Sequence, residues 1–200
     1  MQTDKPRLVV ATRNAHKTDE IRQMIGDRFV VLNATDFPDL PEVEETGTTF
    51  LENATLKAVA VSRQVGGIVL SDDSGLEVDA LGGRPGVWSS SFGGEEGNHA
   101  RNNARLAEEM AGVEDRAARF RCVMVLARDG EVVADFSGAV EGRILTEMSG
   151  AGGFGYDPFF APEGSDQSFA ELGAEVKNQL SHRGRALRQV VRFLEKEDVG

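Results

Sequence analysis

Along this chain, short apolar runs alternate with longer stretches in which apolar residues recur every three or four positions, the pattern of strands separated by helices. Arg7-Leu8-Val9-Val10-Ala11-Thr12 predicts a first strand, and Ile21, Met24 and Ile25 mark one face of a helix over Lys17–Ile25 with Asn14 placed to cap it. Phe29–Leu32 predicts a second strand, followed by a rigid acidic loop made of Pro38, Pro41 and the run Glu42-Val43-Glu44-Glu45-Thr46-Gly47. Behind Thr48 or Thr49 as N-cap, Leu51, Ala54, Ala58, Val61 and Val65 share a helical face. Gly67-Ile68-Val69-Leu70 reads as a buried strand that delivers Asp72 and Asp73 to a turn opened by Ser74-Gly75. Ala100, Ala104, Ala107 and Met110 predict a small, closely packing face on a helix over Asn98–Met110. Ala117–Arg128 predicts a long strand, Asp129-Gly130 a two-residue hairpin, and Glu131–Val140 an antiparallel return that Gly138–Ile144 continues. A last helix, capped by Ser181, carries Leu187, Val190, Val191 and Leu194 on one face. The expectation is an α/β fold with a mixed sheet.

Composition narrows the partners. The 200 residues suit one domain, or one domain with two lobes, and no linker divides them, so residues 1–200 are expected to form a single unit of function. There are 22 Lys plus Arg against 33 Asp plus Glu, a net charge of −11, which disfavours general attraction to nucleic acid or to an anionic membrane. An anionic ligand must then be held by local cations. The single Cys122 lies in a predicted strand, reads as core, and suits a reducing compartment. Met1–Arg7 is polar and only a short apolar stretch follows it, so no signal-peptide core is expected. No run approaches the length of a membrane span. The expected location is cytoplasmic.

The chemistry concentrates in a few segments. Two adjacent carboxylates, Asp72 and Asp73, repel unless a positive charge lies near them, and Mg²⁺ takes such oxygen ligands. Glu44 and Glu45, just ahead of a helix start, are candidate partners in that site or simply complement the helix dipole. Thr12-Arg13-Asn14-Ala15-His16-Lys17 is a strand-to-helix turn whose N–H groups and cations suit an anion. His182 and Arg183 open a second donor-rich helix start. Lys57 lies one turn beyond Asn53, and the glycine-rich, aromatic Gly150–Phe160 suits close approach of backbone to a flat ligand. Together these are the parts needed to bind a nucleoside triphosphate with a metal ion. Neither a GxxxxGK[ST] loop nor a G-x-G-x-x-G follows the first strand. Two other readings use the same residues: an aspartic-protease-like Asp-Ser-Gly turn at Asp73-Ser74-Gly75, and a nucleotide-binding module without catalysis.

Taken in order, Thr12-Arg13-Asn14-Ala15-His16-Lys17, Glu44-Glu45-Thr46-Gly47, Glu52–Ala58, Ser71-Asp72-Asp73-Ser74-Gly75-Leu76, Gly152–Pro158 and Ser181-His182-Arg183-Gly184 resemble the motif set of the inosine/xanthosine triphosphate pyrophosphatases, from about Leu8 to Leu187. The resemblance implies Mg²⁺-dependent hydrolysis of dITP, ITP and XTP to monophosphate and pyrophosphate, which keeps deaminated purines out of DNA and RNA. It also implies a homodimer, and an elongated mixed α/β fold with a long sheet, flanking helices and two lobes around a central cleft. Carried onto matching positions, Thr12, Arg13, Asn14, Ala15, His16 and Lys17 bind the triphosphate, while Glu44 and Asp73 hold Mg²⁺. Asp73 accepts the proton of the attacking water and Ser74 contacts substrate. Phe154, Gly155, Tyr156, Asp157, Lys177, His182 and Arg183 bind the nucleoside end. The family usually has Gly where Arg13 and His16 stand; both replacements can donate hydrogen bonds to an anion, and the bulkier loop can narrow the substrate range. Independently of the family, Lys17 and Lys57 are the cations suited to stabilise the departing oxygens.

Overall fold

The computed structural model describes residues 5–196. Its sheet has six strands in the order β2-β1-β3-β4-β5-β6, with β1 at Arg7–Val10, β2 at Val30–Asn33, β3 at Ile68–Val78, β4 at Ala117–Arg128, β5 at Glu131–Ile144 and β6 at Phe160–Pro162. β1 runs parallel to both β2 and β3, and β6 runs antiparallel to β5. The helices are α1 (Ala15–Ile25), α2 (Phe50–Val65), α3 (His99–Glu109), α4 (Gly173–Leu180) and α5 (His182–Lys196). The mixed α/β architecture expected from the pattern is the one observed.

Two compact units share this sheet. One holds the described residues up to Asp73, with Val123–Ser137 and the residues from Ala186 onward; the other holds Ser74–Cys122 and Gly138–Arg185. In the first, Val9, Ala11, Ala34, Leu40, Val61 and Val69 form a buried cluster, and Ala54 and Ala58 of α2 pack on Val125 and Ala127 of β4. Alanines let α2 approach the sheet closely. Ser62, near the end of α2, accepts from Gly130 N at 2.9 Å and so pins the β4–β5 hairpin. Asp129 (φ 53) and Gly130 (φ 88) both take left-handed backbone, as the Asp-Gly pair predicts for a two-residue connection. The second unit is built on aromatics. Phe120 lies edge-on to Phe160 at 4.7 Å, and Phe160 lies 5.2 Å from Phe169, with Leu76, Phe92, Leu106 and Met110 in the same buried cluster. Each such side chain contributes roughly 1.5–3 kcal/mol through burial.

Four expectations need correction. First, no turn opens at Ser74-Gly75: β3 continues for 11 residues, and Asp72 and Asp73 lie buried inside it. Ser-Asp-Asp-Ser-Gly has turn composition, but between β1 and β4 its backbone joins the sheet ladder, which wins over the local preference. The Asp-Ser-Gly turn required by an aspartic-protease-like reading is therefore missing. Second, of the face expected for α3 and its end only Met110 is buried. Ala100, Ala104 and Ala107 are exposed, and Asn102, Asn103, Leu106 and Met110 are buried. Third, Leu51 of α2 is 45% exposed and Phe50 takes the buried position before Ala54. Fourth, β6 and α4 went unseen, because a three-residue strand and an eight-residue helix are too short for periodicity to resolve. β6 ends on Pro162 at the sheet's edge, where a missing N–H is tolerated.

The caps follow the sequence closely. Asn14 accepts from Lys17 N at 3.3 Å to start α1. Thr49 and Glu52 close a reciprocal box at the start of α2, and Ser181 accepts from Gly184 N at 3.1 Å to start α5. Gly184 also packs against α4, and a Cβ there would run into the carbonyl oxygen of Asn178. Gly184→Ala is expected to cost about 1–3 kcal/mol, measured as a lower urea midpoint with unchanged slope; an unchanged midpoint would show that the α4–α5 junction yields freely.

Candidate active site

In the first unit the cluster is built around β3. Asp73 is 7% exposed and Asp72 1%. Lys17, from the first turns of α1, reaches Asp72 Oδ2 at 3.2 Å. Lys57, from the middle of α2, lies 2.9 Å from Glu45 Oε2 and 3.9 Å from Asp73 Oδ1. Asn53, one turn before Lys57, donates from Nδ2 to Asp73 Oδ2 at 3.1 Å and accepts from Gly47 N at 2.8 Å, tying the acidic loop to the strand. A Cβ on Gly47 would fall 2.6 Å from Asn53 Oδ1, so only glycine fits this approach.

The charges are unequally compensated. Burial pushes the Asp73 carboxyl up to about 6; Lys57 and Lys17 oppose that rise, Glu45 adds to it, and the Asn53 hydrogen bond opposes it again. Burial would lower the Lys57 ammonium, but Asp73, Glu45 and Asp72 outweigh it and hold Lys57 above its ordinary range. The result is a carboxylate raised to about 6 beside a Lys57 ammonium that stays charged.

Around the start of α1, Thr12 Oγ1 accepts from Asn14 N at 3.1 Å, and the Asn14 side chain is spent on the cap. Ala15 and His16 are exposed in the first turn. Arg13 reaches away from that turn, donating from Nη2 to the Leu40 carbonyl at 2.6 Å and holding the segment before the acidic loop. Glu44 is exposed, and Glu45 is the glutamate that meets Lys57. Among the described residues, no group of three or more His, Cys, Asp or Glu side chains is gathered as a metal cage.

A second cluster occupies the other unit. Lys177 Nζ and Asp157 Oδ2 form a buried ion pair at 2.7 Å, and the same Asp157 oxygen accepts from Phe154 N at 2.8 Å. Lys177 Nζ stands 4.6 Å from the centre of the Phe154 ring and the Arg183 guanidinium 5.7 Å from it. Arg183 Nη2 donates to Ser74 Oγ at 2.9 Å. The His182 ring stacks on Phe120 at 4.8 Å with an 11° tilt. Tyr156 turns inward, and its hydroxyl donates to the Ser89 carbonyl at 2.8 Å. Gly155 offers its carbonyl to Asn103 Nδ2 at 2.9 Å. Gly153 (φ 71) lies against Asp157 so closely that a Cβ would collide with the carboxylate.

Sequence reasoning missed the buried asparagines Asn53, Asn102 and Asn103, which tie these clusters and loops together. A signal existed: asparagine is a poor residue for a helix interior, and two side by side in α3 demand partners for their amides.

Comparison with known proteins shows the family. A sequence profile described as Ham1 family matches residues 8–193. A Streptococcus agalactiae protein named dITP/XTP pyrophosphatase is 47% identical over 94% of this chain and 60% of its own length. One of the same name from Bacillus licheniformis is 44% identical over 94% of this chain and 97% of its own. The chain thus spans about three-fifths of the length of the streptococcal relative. The solved structure of the Staphylococcus aureus Ham1 protein superposes with a TM-score of 0.86 at 37% identity, covering 96% of this chain and all of that one. With the profile spanning nearly every described element and the fold shared with a solved member, the chain belongs to the Ham1 family.

Proposed function

We propose that this protein hydrolyses non-standard purine nucleoside triphosphates (dITP, ITP and XTP) to the monophosphate and pyrophosphate. The observation that carries the reading is Asp73: a buried carboxylate with a pKa raised to about 6, held by Asn53 and flanked by Lys57 and Lys17. A group of that kind suits a general base working near neutral pH. The names of the relatives from Streptococcus agalactiae and Bacillus licheniformis support the substrate class.

In this reading a water oxygen attacks the α-phosphorus and gives its proton to Asp73. The bond from the α-phosphorus to the α,β-bridging oxygen breaks, and pyrophosphate leaves with its charge opposed by Lys17 and Lys57. The positive end of the α1 dipole lies at that turn and would favour phosphate oxygens there. The donor set fits Mg²⁺: hard carboxylate oxygens on Asp73, with Glu44 in the loop that Gly47 and Asn53 tie to that strand. Lysines alone leave Asp73 under-compensated, and Mg²⁺ is commonly held by one or two carboxylates plus substrate phosphates, which requires no complete protein cage. When bound there, Mg²⁺ would supply charge neutralisation on the phosphate oxygens.

At the nucleoside end, Phe154 offers a ring for stacking, while Lys177, His182 and Arg183 offer donors, with Asp157 fixing Lys177. Hypoxanthine and xanthine present a 6-oxo acceptor where adenine presents an amino donor, so donors there would be left unpaired against adenine. The net charge of −11 supports free nucleotides rather than nucleic acid as partners. No helix among the described residues is long and apolar enough to cross a membrane. We read the working form as a cytoplasmic homodimer.

The test is pyrophosphate release from dITP, XTP, dATP and dGTP, with Mg²⁺ and with EDTA. Release from dITP and XTP well above that from dATP and dGTP, abolished by EDTA, is the expected result. Equal rates on all four, or indifference to EDTA, would overturn it, and tight nucleotide binding without release would favour a non-catalytic binding module.

A further inference from the structure

We propose that Asn103 is a positioning residue for the nucleoside end of the substrate, fixing the Phe154–Asp157 loop from α3; this rests on the function proposed above. Asn103 is 7% exposed in the middle of a helix, where asparagine is unfavourable. Its Nδ2 donates to the Gly155 carbonyl at 2.9 Å across 52 residues of chain, while its Oδ1 is buried and accepts no hydrogen bond from the protein. An apolar residue would fill this helix position at less cost to the fold, so the amide is best explained by what it holds.

What it holds is the peptide between Phe154 and Tyr156. Gly155 is left-handed (φ 63) and nothing lies within 4 Å of where its Cβ would be, so local sterics do not fix this peptide. The hydrogen bond from Asn103 fixes the Gly155 carbonyl itself, between residues that Asp157 and Ser89 hold. α3 secures the other side of the loop as well. Asn102 accepts from Gly93 N at 2.6 Å and donates to the Ser90 carbonyl at 2.9 Å, and the neighbouring Ser89 carbonyl receives the Tyr156 hydroxyl at 2.8 Å. From α3 through Gly155, Tyr156, Ser89 and Ser90 back to α3, the hydrogen bonds close a ring. His99 of the same helix lies 6.2 Å from the Phe154 ring. Releasing Gly155 removes one of the restraints on the residue next to Phe154, the ring on which the Lys177 and Arg183 cations stand; Asp157 still holds the Phe154 backbone.

The experiment compares Asn103→Ala and Asn103→Asp with the wild type, the Asp variant keeping size and acceptor but losing the donor. Expected is a rise of about tenfold in KM for dITP, and in its Kd by calorimetry, with kcat within about twofold. Inhibition by inorganic tripolyphosphate, which has no nucleoside, should be unchanged. An unchanged KM, a parallel weakening of tripolyphosphate inhibition, or failure of both variants to fold by circular dichroism would each overturn the proposal and leave Asn103 a core residue. The wild type separates the two claims: binding of dITP without pyrophosphate release sinks the pyrophosphatase reading while Kd still tests Asn103, and no binding at all sinks both.

Discussion

Asp73→Asn is expected to lower turnover on dITP roughly 10³-fold, within the range for loss of a general base, and to make the metal-free protein more stable at pH 8. Both effects come from one cause. Burial raises the Asp73 carboxyl from 3.8 to about 6, so the surrounding protein favours the neutral form. A group raised on folding contributes stability that is fully present below 3.8 and lost as pH climbs through about 6. At pH 8 the wild type has lost that contribution, and the isosteric amide restores it, on the order of 2–3 kcal/mol. Lys57 keeps Glu45 as a partner at 2.9 Å, so the variant strands no cation. The check is thermal unfolding in EDTA at pH 4 and pH 8 beside steady-state kinetics. The wild type should lose stability between those values more steeply than the variant. Near-normal turnover would remove Asp73 from the base role, and a variant less stable at pH 8 would mean that the lysines overcompensate the carboxylate.

That tension between stability and chemistry explains which parts of the molecule could be read from the chain. Ala117–Arg128, the Asp129-Gly130 hairpin and the caps at Asn14, Thr49 and Ser181 were legible because each obeys local rules of alternation, turn chemistry or side-chain capping. β3 was legible only as far as Leu70, because its Ser71–Gly75 stretch violates local preference and carries Asp72 and Asp73, which are met by Lys17, Lys57 and Asn53 from distant helices. The face of α3 failed for a related reason. Apolarity points to the alanines, but Asn102 and Asn103 are buried because their amides serve loops at Ser90, Gly93 and Gly155. Arg13 had the right charge for a phosphate turn, and only the fold reveals that it reaches the Leu40 carbonyl. These three misreadings share one cause: the side chains are held by segments far along the chain rather than by their own element.

Asp157→Asn is expected to lower the melting temperature by on the order of 10 °C, from about 3–5 kcal/mol lost when a buried ion pair loses one partner. Lys177 is 4% exposed and Asp157 2%, so water replaces little of the missing carboxylate. Asparagine keeps an acceptor for Phe154 N, confining the change to the loss of charge beside Lys177 Nζ. Adding Lys177→Met removes the stranded ammonium, and the double variant should recover most of the stability, because a buried pair replaced by neutral groups of similar volume is often no less stable. Nucleotide affinity should not recover. In the double variant Phe154 loses the cation 4.6 Å from its ring, and under the function proposed above the nucleoside end would also lose a donor. Melting curves and KM for dITP across the two single variants and the double separate the roles. Recovery of both quantities would make the pair purely structural, whereas recovery of stability alone would assign Lys177 to the substrate and Asp157 to holding it there.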